Sequence, residues 1–243
     1  MTVLLAAVTF VNIEKIALFI VMLSVLIVLH EYGHFLIARL SKVRVLEFAV
    51  GMGPLIAGWK SRPGMLGLRW AFTQPHQQSW MTDGTMDWVW PACEKAQIPV
   101  ALMASNYLPQ VAQIAGRHPG LKLIVDHFGR ARGGKDDAAF SNIEQVAALA
   151  KFPNVALKAT GAPGESSEPY PYRNIHKHIR RLYDAFGPER FFWGTDITRM
   201  PCSYRQCVTM FTEELPWLQS KDKELVMGRA MCNWLGWKHP ALA

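Results

Sequence analysis

Residues 16–38 form an apolar run broken by a single ionisable cluster, His30-Glu31-Tyr32-Gly33-His34, and this run limits the possible folds more than any other feature of the 243-residue chain. Twelve of the fourteen residues at 16–29 are Ile, Leu, Val, Phe or Met. Such residues favour bilayer insertion by roughly 0.3–0.6 kcal/mol each, about 5 kcal/mol together. As a helix the run is about 35 Å long, enough to span a membrane with some tilt. A cleaved signal would start basic and stop sooner, whereas residues 1–13 carry no charge. The pattern predicts one retained transmembrane helix, since no later run is long and apolar enough. Arg39, Lys42 and Arg44 follow it, against Lys15 with Glu14 before it. That asymmetry predicts a single-pass protein in contact with membrane lipid, its C-terminal part cytoplasmic.

Two imidazoles and a carboxylate inside such a run imply function, because a charged group at the bilayer centre costs roughly 2.5–3.5 kcal/mol. On a helix His30 and His34 lie one turn apart on one face, so both can reach one zinc ion. Glu31 is offset, suited to hold a metal-bound water as general base. Zinc would make that water a nucleophile at neutral pH. The stretches VLIVLHEYGHFLIAR (25–39) and VLEFAVGMGP (45–54) resemble the opening of the site-2 protease family of intramembrane zinc metalloproteases. The resemblance covers about the first 55 residues and implies His30 and His34 as zinc ligands and Glu31 as catalytic base. That family takes a third ligand from an aspartate in a later membrane helix. The nearest match here, Asp83-Gly84, follows a polar flank that is no membrane span.

From residue 59 the composition changes. Residues 1–58 hold four Lys/Arg and three Asp/Glu; the remainder holds twenty-two and sixteen, so the net charge of +7 divides into +1 and +6. The excess is dispersed rather than gathered in a block, so no nucleic-acid partner is expected. Cys93, Cys202, Cys207 and Cys232 show no CxxC spacing and read as reduced thiols.

Short apolar runs at 66–72, 98–104, 121–126, 154–160 and 190–194 read as strands buried on both faces. Helical periodicity lies between them at 85–97, 108–118, 138–152 and 173–186, and after them at 203–215 and 221–235. This order predicts an α/β fold with parallel strands and right-handed crossovers, and active groups at the C-terminal ends of strands. Two strand ends carry chemistry. LKLIVDHFG (121–129) places Asp126 and His127 where a strand meets its loop, and RFFWGTDITR (190–199) places Asp196 likewise, with Arg199 beyond. An imidazole shuttles protons near neutral pH, and an aspartate can activate water or bind a metal.

These phrases, with FGPER (186–190) and FWGTD (192–196), resemble the amidohydrolase-related family of hydrolases and decarboxylases over roughly residues 59–243. The resemblance implies a partial (β/α)8 barrel of about five parallel strands, strands four to eight, preceded by the transmembrane helix. It implies His127 at the end of strand six, polarising the substrate, and Asp196 at the end of strand eight, as acid/base or metal ligand. The family's His-x-His pair is missing, and residues 98–106 lack the usual strand-five histidine, which argues against a metal at the barrel site. Five strands cannot close an eight-stranded barrel, so the open edges call for a cover, which a homo-oligomer, another partner or the membrane helix could supply.

Arg199, Tyr204 and Arg205 could grip a small-molecule carboxylate bidentately or could equally be surface residues. The loop at 161–171 is placed to shape a pocket mouth. Lys158 on a buried strand is either functional or paired. His176 and His178 do not share a helix face, and Trp80, Trp88 and Trp90 read as core or pocket wall. The expected parts are 1–58 and 59–243, with no Pro- or Ser/Gly-rich linker between them. Three readings stay open: a hydrolase of a small carboxylate-bearing lactone or amide-like substrate, an intramembrane zinc metalloprotease, and an inactive fusion.

Overall fold

The computed structural model describes residues 62–131 and 133–238, together with Lys15, Leu18, Phe19, Val21, Met22, Val25 and Gly58. The chain divides into two compact units, Met1–Gly53 and Pro54–Ala243. In the first, the described residues are helical, and Leu18, Phe19, Val21, Met22 and Val25 are exposed. The rest of the expected span, with His30, Glu31 and His34, lies outside the described residues. Among the described residues no helix is long and apolar enough to cross a membrane.

The second unit is built on β1 (Leu68–Trp70), β2 (Val100–Leu102), β3 (Leu123–Val125), β4 (Val155–Thr160) and β5 (Phe191–Gly194). All neighbours pair in parallel, in the order β1-β2-β3-β4-β5. Leu68, Val100, Leu123 and Val155 share one register level. Because side chains alternate along a strand, the sheet has two distinct apolar faces. Val100, Leu102, Leu123, Val125, Val155, Leu157 and Phe191 belong to the main core with the helices. Ala101, Ile124, Ala156 and Phe192 form a second cluster, covered by Ala230 with Leu225, Met231, Trp234 and Leu235.

The helices are α1 (Val89–Ala96), α2 (Leu108–Arg117), α3 (Ile143–Ala148), α4 (His176–Phe186), α5 (Tyr204–Thr212), α6 (Ser220–Glu224) and α7 (Ala230–Leu235). In α4 the buried residues Ile179, Leu182, Tyr183 and Phe186 recur at helical spacing, giving one apolar stripe against the sheet. α5 starts at Ser203, which accepts from the Gln206 amide while Gln206 Oε1 accepts from the Ser203 amide, a reciprocal cap. The helix expected at 221–235 is interrupted at Leu225–Arg229, a π-helical segment in which Gly228 leaves helical geometry.

One expectation needs correction. β1 is not buried on both faces: it is an outer strand of the sheet, and Arg69 at its centre is exposed. An outer strand has only one neighbour, which leaves room for a charged side chain.

Asn154 ties the layers together. It is buried, and its Nδ2 reaches the carbonyls of Ala115 (3.2 Å), His118 (2.9 Å) and Leu121 (3.0 Å), closing the end of α2 onto the start of β3. Removing it would leave buried carbonyls without partners. Asn154→Ala is expected to destabilise the fold by about 2 kcal/mol, read as a lower midpoint in urea unfolding.

Candidate active site

The parallel strands deliver their C-terminal ends to one rim, where a cavity of about 380 Å³ opens. Thr73 follows β1, and Met103 and Ser105 follow β2. His127, Arg130 and Gly133 come from the turn after β3, Gly161, Gly164 and Glu165 from the loop after β4, and Asp196, Arg199 and Met200 from the segment after β5. The sheet thus brings His127 and Asp196, 69 residues apart, to one space. Arg199 is exposed at the same wall.

Tyr204 and Arg205 do not line this cavity. They open α5 on its solvent side, both exposed, with Tyr204 edge-on to Trp193 at 6.4 Å. Capping by Ser203 starts the helix here, and of the three residues only Arg199 lines the cavity. Nor are the expected tryptophans pocket wall. Trp90 is buried core against Trp70, Trp80 packs partly buried on that core, and Trp88 is half exposed. His176 bonds the Pro171 carbonyl and His178 bonds Asp137, stacked on Phe140, so each serves local packing. Cys202 and Cys207 lie with sulfurs 3.6 Å apart as free thiols, and burial pushes Cys207 up to about 12.

His127 sits in an unusual turn. It, Phe128 and Gly129 all have positive φ (50°, 57° and 58°). Gly129 suits this, and a Cβ there would come within 3.0 Å of Val125 and Val146. Burial pushes the imidazole below its ordinary value, opposed by the Asp126 and Asp196 carboxylates and by a hydrogen bond to the Thr160 backbone. Burial therefore favours the uncharged imidazole. Gly161 opens the β4 loop at a φ of 81°, a left-handed conformation that suits glycine.

Two pairs near the rim were not legible in the sequence. Glu165 is buried and meets Arg130 Nε at 2.5 Å; burial raises its carboxyl, and Arg130 counters. Asp126, 2% exposed, meets Arg69 Nε at 2.5 Å and Lys158 Nζ at 2.9 Å. The paired alternative for Lys158 is the one found. An arginine inside the apolar run at 66–72 was the available signal for Arg69, and the loop at 161–171 pointed to the cavity without singling out Glu165; nothing local marked Arg130.

The donor set around the cavity does not suit a zinc ion. Among the described residues lining it, the further His, Cys, Asp or Glu beside His127 and Asp196 is Glu165, which Arg130 engages. Among the described residues no group of three or more His, Cys, Asp or Glu could hold a metal.

Residues 59–231 match the family model "Amidohydrolase", and residues 18–68 match "Peptidase family M50". L-fucono-1,5-lactonase of Burkholderia ambifaria is 29% identical over 98 residues, 40% of this chain and 33% of that protein. A Rhizobium meliloti protein with a zinc metalloprotease name is 44% identical over 54 residues, 22% of this chain and 14% of that protein. The chain thus spans a third or less of the length of these two curated relatives. Among solved structures, an amidohydrolase from Burkholderia multivorans with bound zinc superposes with a TM-score of 0.66 at 19% identity, covering 85% of this chain and 79% of that one. That likeness establishes a shared barrel-type fold.

Because His127 binds its proton more weakly when folded than when unfolded, the unfolded chain takes up the extra proton. The stability from neutral His127 is present above about pH 6.5 and is lost as pH falls below it. His127→Gln is expected to flatten the decline in unfolding midpoint between about pH 7 and 5.

Proposed function

This chain belongs to the amidohydrolase family, and we propose that its cavity hydrolyses a small carboxylate-bearing lactone or amide-like substrate. The observation that carries the reading is the convergence of Asp196, His127 and Arg199 on one cavity from two separate strand ends. The lactonase name of a relative supports the substrate class.

Arg199, at the exposed wall, takes the substrate carboxylate. Asp196 receives the proton of a water molecule as its oxygen attacks the carbonyl carbon. Burial favours the uncharged imidazole, and with one ring nitrogen engaged by the Thr160 backbone the other can present a lone pair. It therefore orients that water as an acceptor, in place of the substrate-polarising role the family resemblance implied. The developing oxyanion faces Arg130, a cation held in place by Glu165. When the ring C–O bond breaks, Asp196 returns its proton to the leaving oxygen, giving a hydroxy acid. No step runs through a metal, because the donor set does not suit one.

A second reading rests on the M50 match, whose residues 18–68 include His30, Glu31 and His34. The chain would then hold zinc in the membrane as a protease. The exposed apolar residues at 18–25 support membrane contact under either reading, and a second copy covering β1 or β5 would protect the sheet's outer strands.

Asp196→Asn in the full chain is expected to lower kcat about 10²- to 10⁴-fold on a panel of carboxylated lactones with KM nearly unchanged. Arg199→Ala is expected to raise KM instead. Hydrolysis indifferent to Asp196→Asn overturns the proposal. Under the protease reading, one equivalent of zinc is bound and is lost in His30→Ala. Neither hydrolysis nor zinc leaves the inactive fusion.

A further inference from the structure

Among the described residues, two successive non-glycine residues with positive φ, His127 and Phe128, occur at the rim of the cavity. L residues avoid that region, so their neighbours must impose it. On one side is Asp126, whose buried carboxylate faces two cations: Oδ2 accepts from Arg69 Nε of β1, and Oδ1 forms an ion pair with Lys158 Nζ of β4 at 2.9 Å. Its amide also donates to the Leu102 carbonyl at 2.9 Å. On the other side is Phe128, fully buried toward the helices, with ring centroids 5.8 Å from Phe140 and 6.2 Å from Phe191. The chain between them has no slack. The Gly129 amide closes back on the Asp126 carbonyl at 2.9 Å, and the Arg130 amide on that of His127 at 3.2 Å.

We propose that the Arg69–Asp126–Lys158 clamp, reaching across four strands, fixes the place of the His127 imidazole in the cavity, which makes Arg69, Asp126 and Lys158 positioning residues. A stabilising role alone does not explain the arrangement. The same sheet face is otherwise Ala101, Ile124, Ala156 and Phe192, and apolar residues in place of a buried ion pair usually give equal or greater stability. The ions sit one level below the cavity, next to the turn that carries His127.

This inference deepens the hydrolase reading by assigning support to one of its residues, but its test reads His127 directly and needs no substrate. Diethyl pyrocarbonate modifies neutral imidazole, and peptide mass spectrometry of the full chain gives the rate at His127 against pH. The charged groups facing His127 are Asp126, Asp196 and Arg69, with Arg130, Glu165 and Arg199 on the same cavity wall. Loss of a cation alone moves the midpoint of the profile upward and leaves the high-pH plateau unchanged. Loss of position raises the plateau itself. Lys158→Met and Arg69→Gln are each expected to raise the plateau rate on the order of tenfold through local opening of the turn, and Lys158→Arg is expected to keep the native rate. Arg69 is half exposed on an outer strand, so its variant remains informative if Lys158→Met does not fold. Ile114→Ala, which loosens the helix layer away from the site, is expected to leave the plateau unchanged. Unchanged plateaus in Arg69→Gln and Lys158→Met, or an equal rise in Ile114→Ala, overturn the clamp. A raised plateau in a protein that hydrolyses no lactone keeps the clamp and removes the hydrolase reading.

Discussion

The parallel register of the five strands is the constraint on which the rest of this unit depends. With Leu68, Val100, Leu123 and Val155 level across the sheet, every strand ends on the same rim, and each following loop starts there. Period-two alternation then decides what faces where. Arg69, Asp126 and Lys158 fall on one face and the helix-facing aliphatic residues on the other. A one-residue slip of β3 would send Asp126 into the helix layer and Phe128 toward the cavity.

The chemistry at the rim follows from graded burial. Asp126 is deepest and doubly paired, Glu165 is buried with one partner, and His127 and Asp196 are half-buried at the cavity. Arg199 is exposed. Desolvation acts in opposite senses on the two kinds of group, lowering His127 and raising Glu165. Of the two cavity arginines, Arg130 pairs with Glu165 and Arg199 is exposed.

The chain joins two parts with separate physical logic. Residues 59–231 match one family and residues 18–68 another, with the change in composition lying where the two matches overlap. Each part covers a minority of the curated relatives it matches. The sheet accordingly has β1 and β5 as outer strands. β1 tolerates this by being three residues long with an arginine at its centre, a recognised way to discourage further strand pairing.

Local pattern was enough to place all five strands, their parallel order and the main helices, because periodicity and strand-end residues such as Asp126, His127 and Asp196 are properties of short segments. The HExxH cluster and its apolar run were likewise readable, being a composition statement about 23 consecutive residues. Tertiary structure alone decided which polar residues meet. Arg69 with Asp126 spans 57 positions and Arg130 with Glu165 spans 35, and no local signal encodes such partners. It also separated Arg199, which lines the cavity, from Tyr204 and Arg205, which do not. Backbone propensity speaks within a few residues; contact across strands depends on register and on which face alternation assigns.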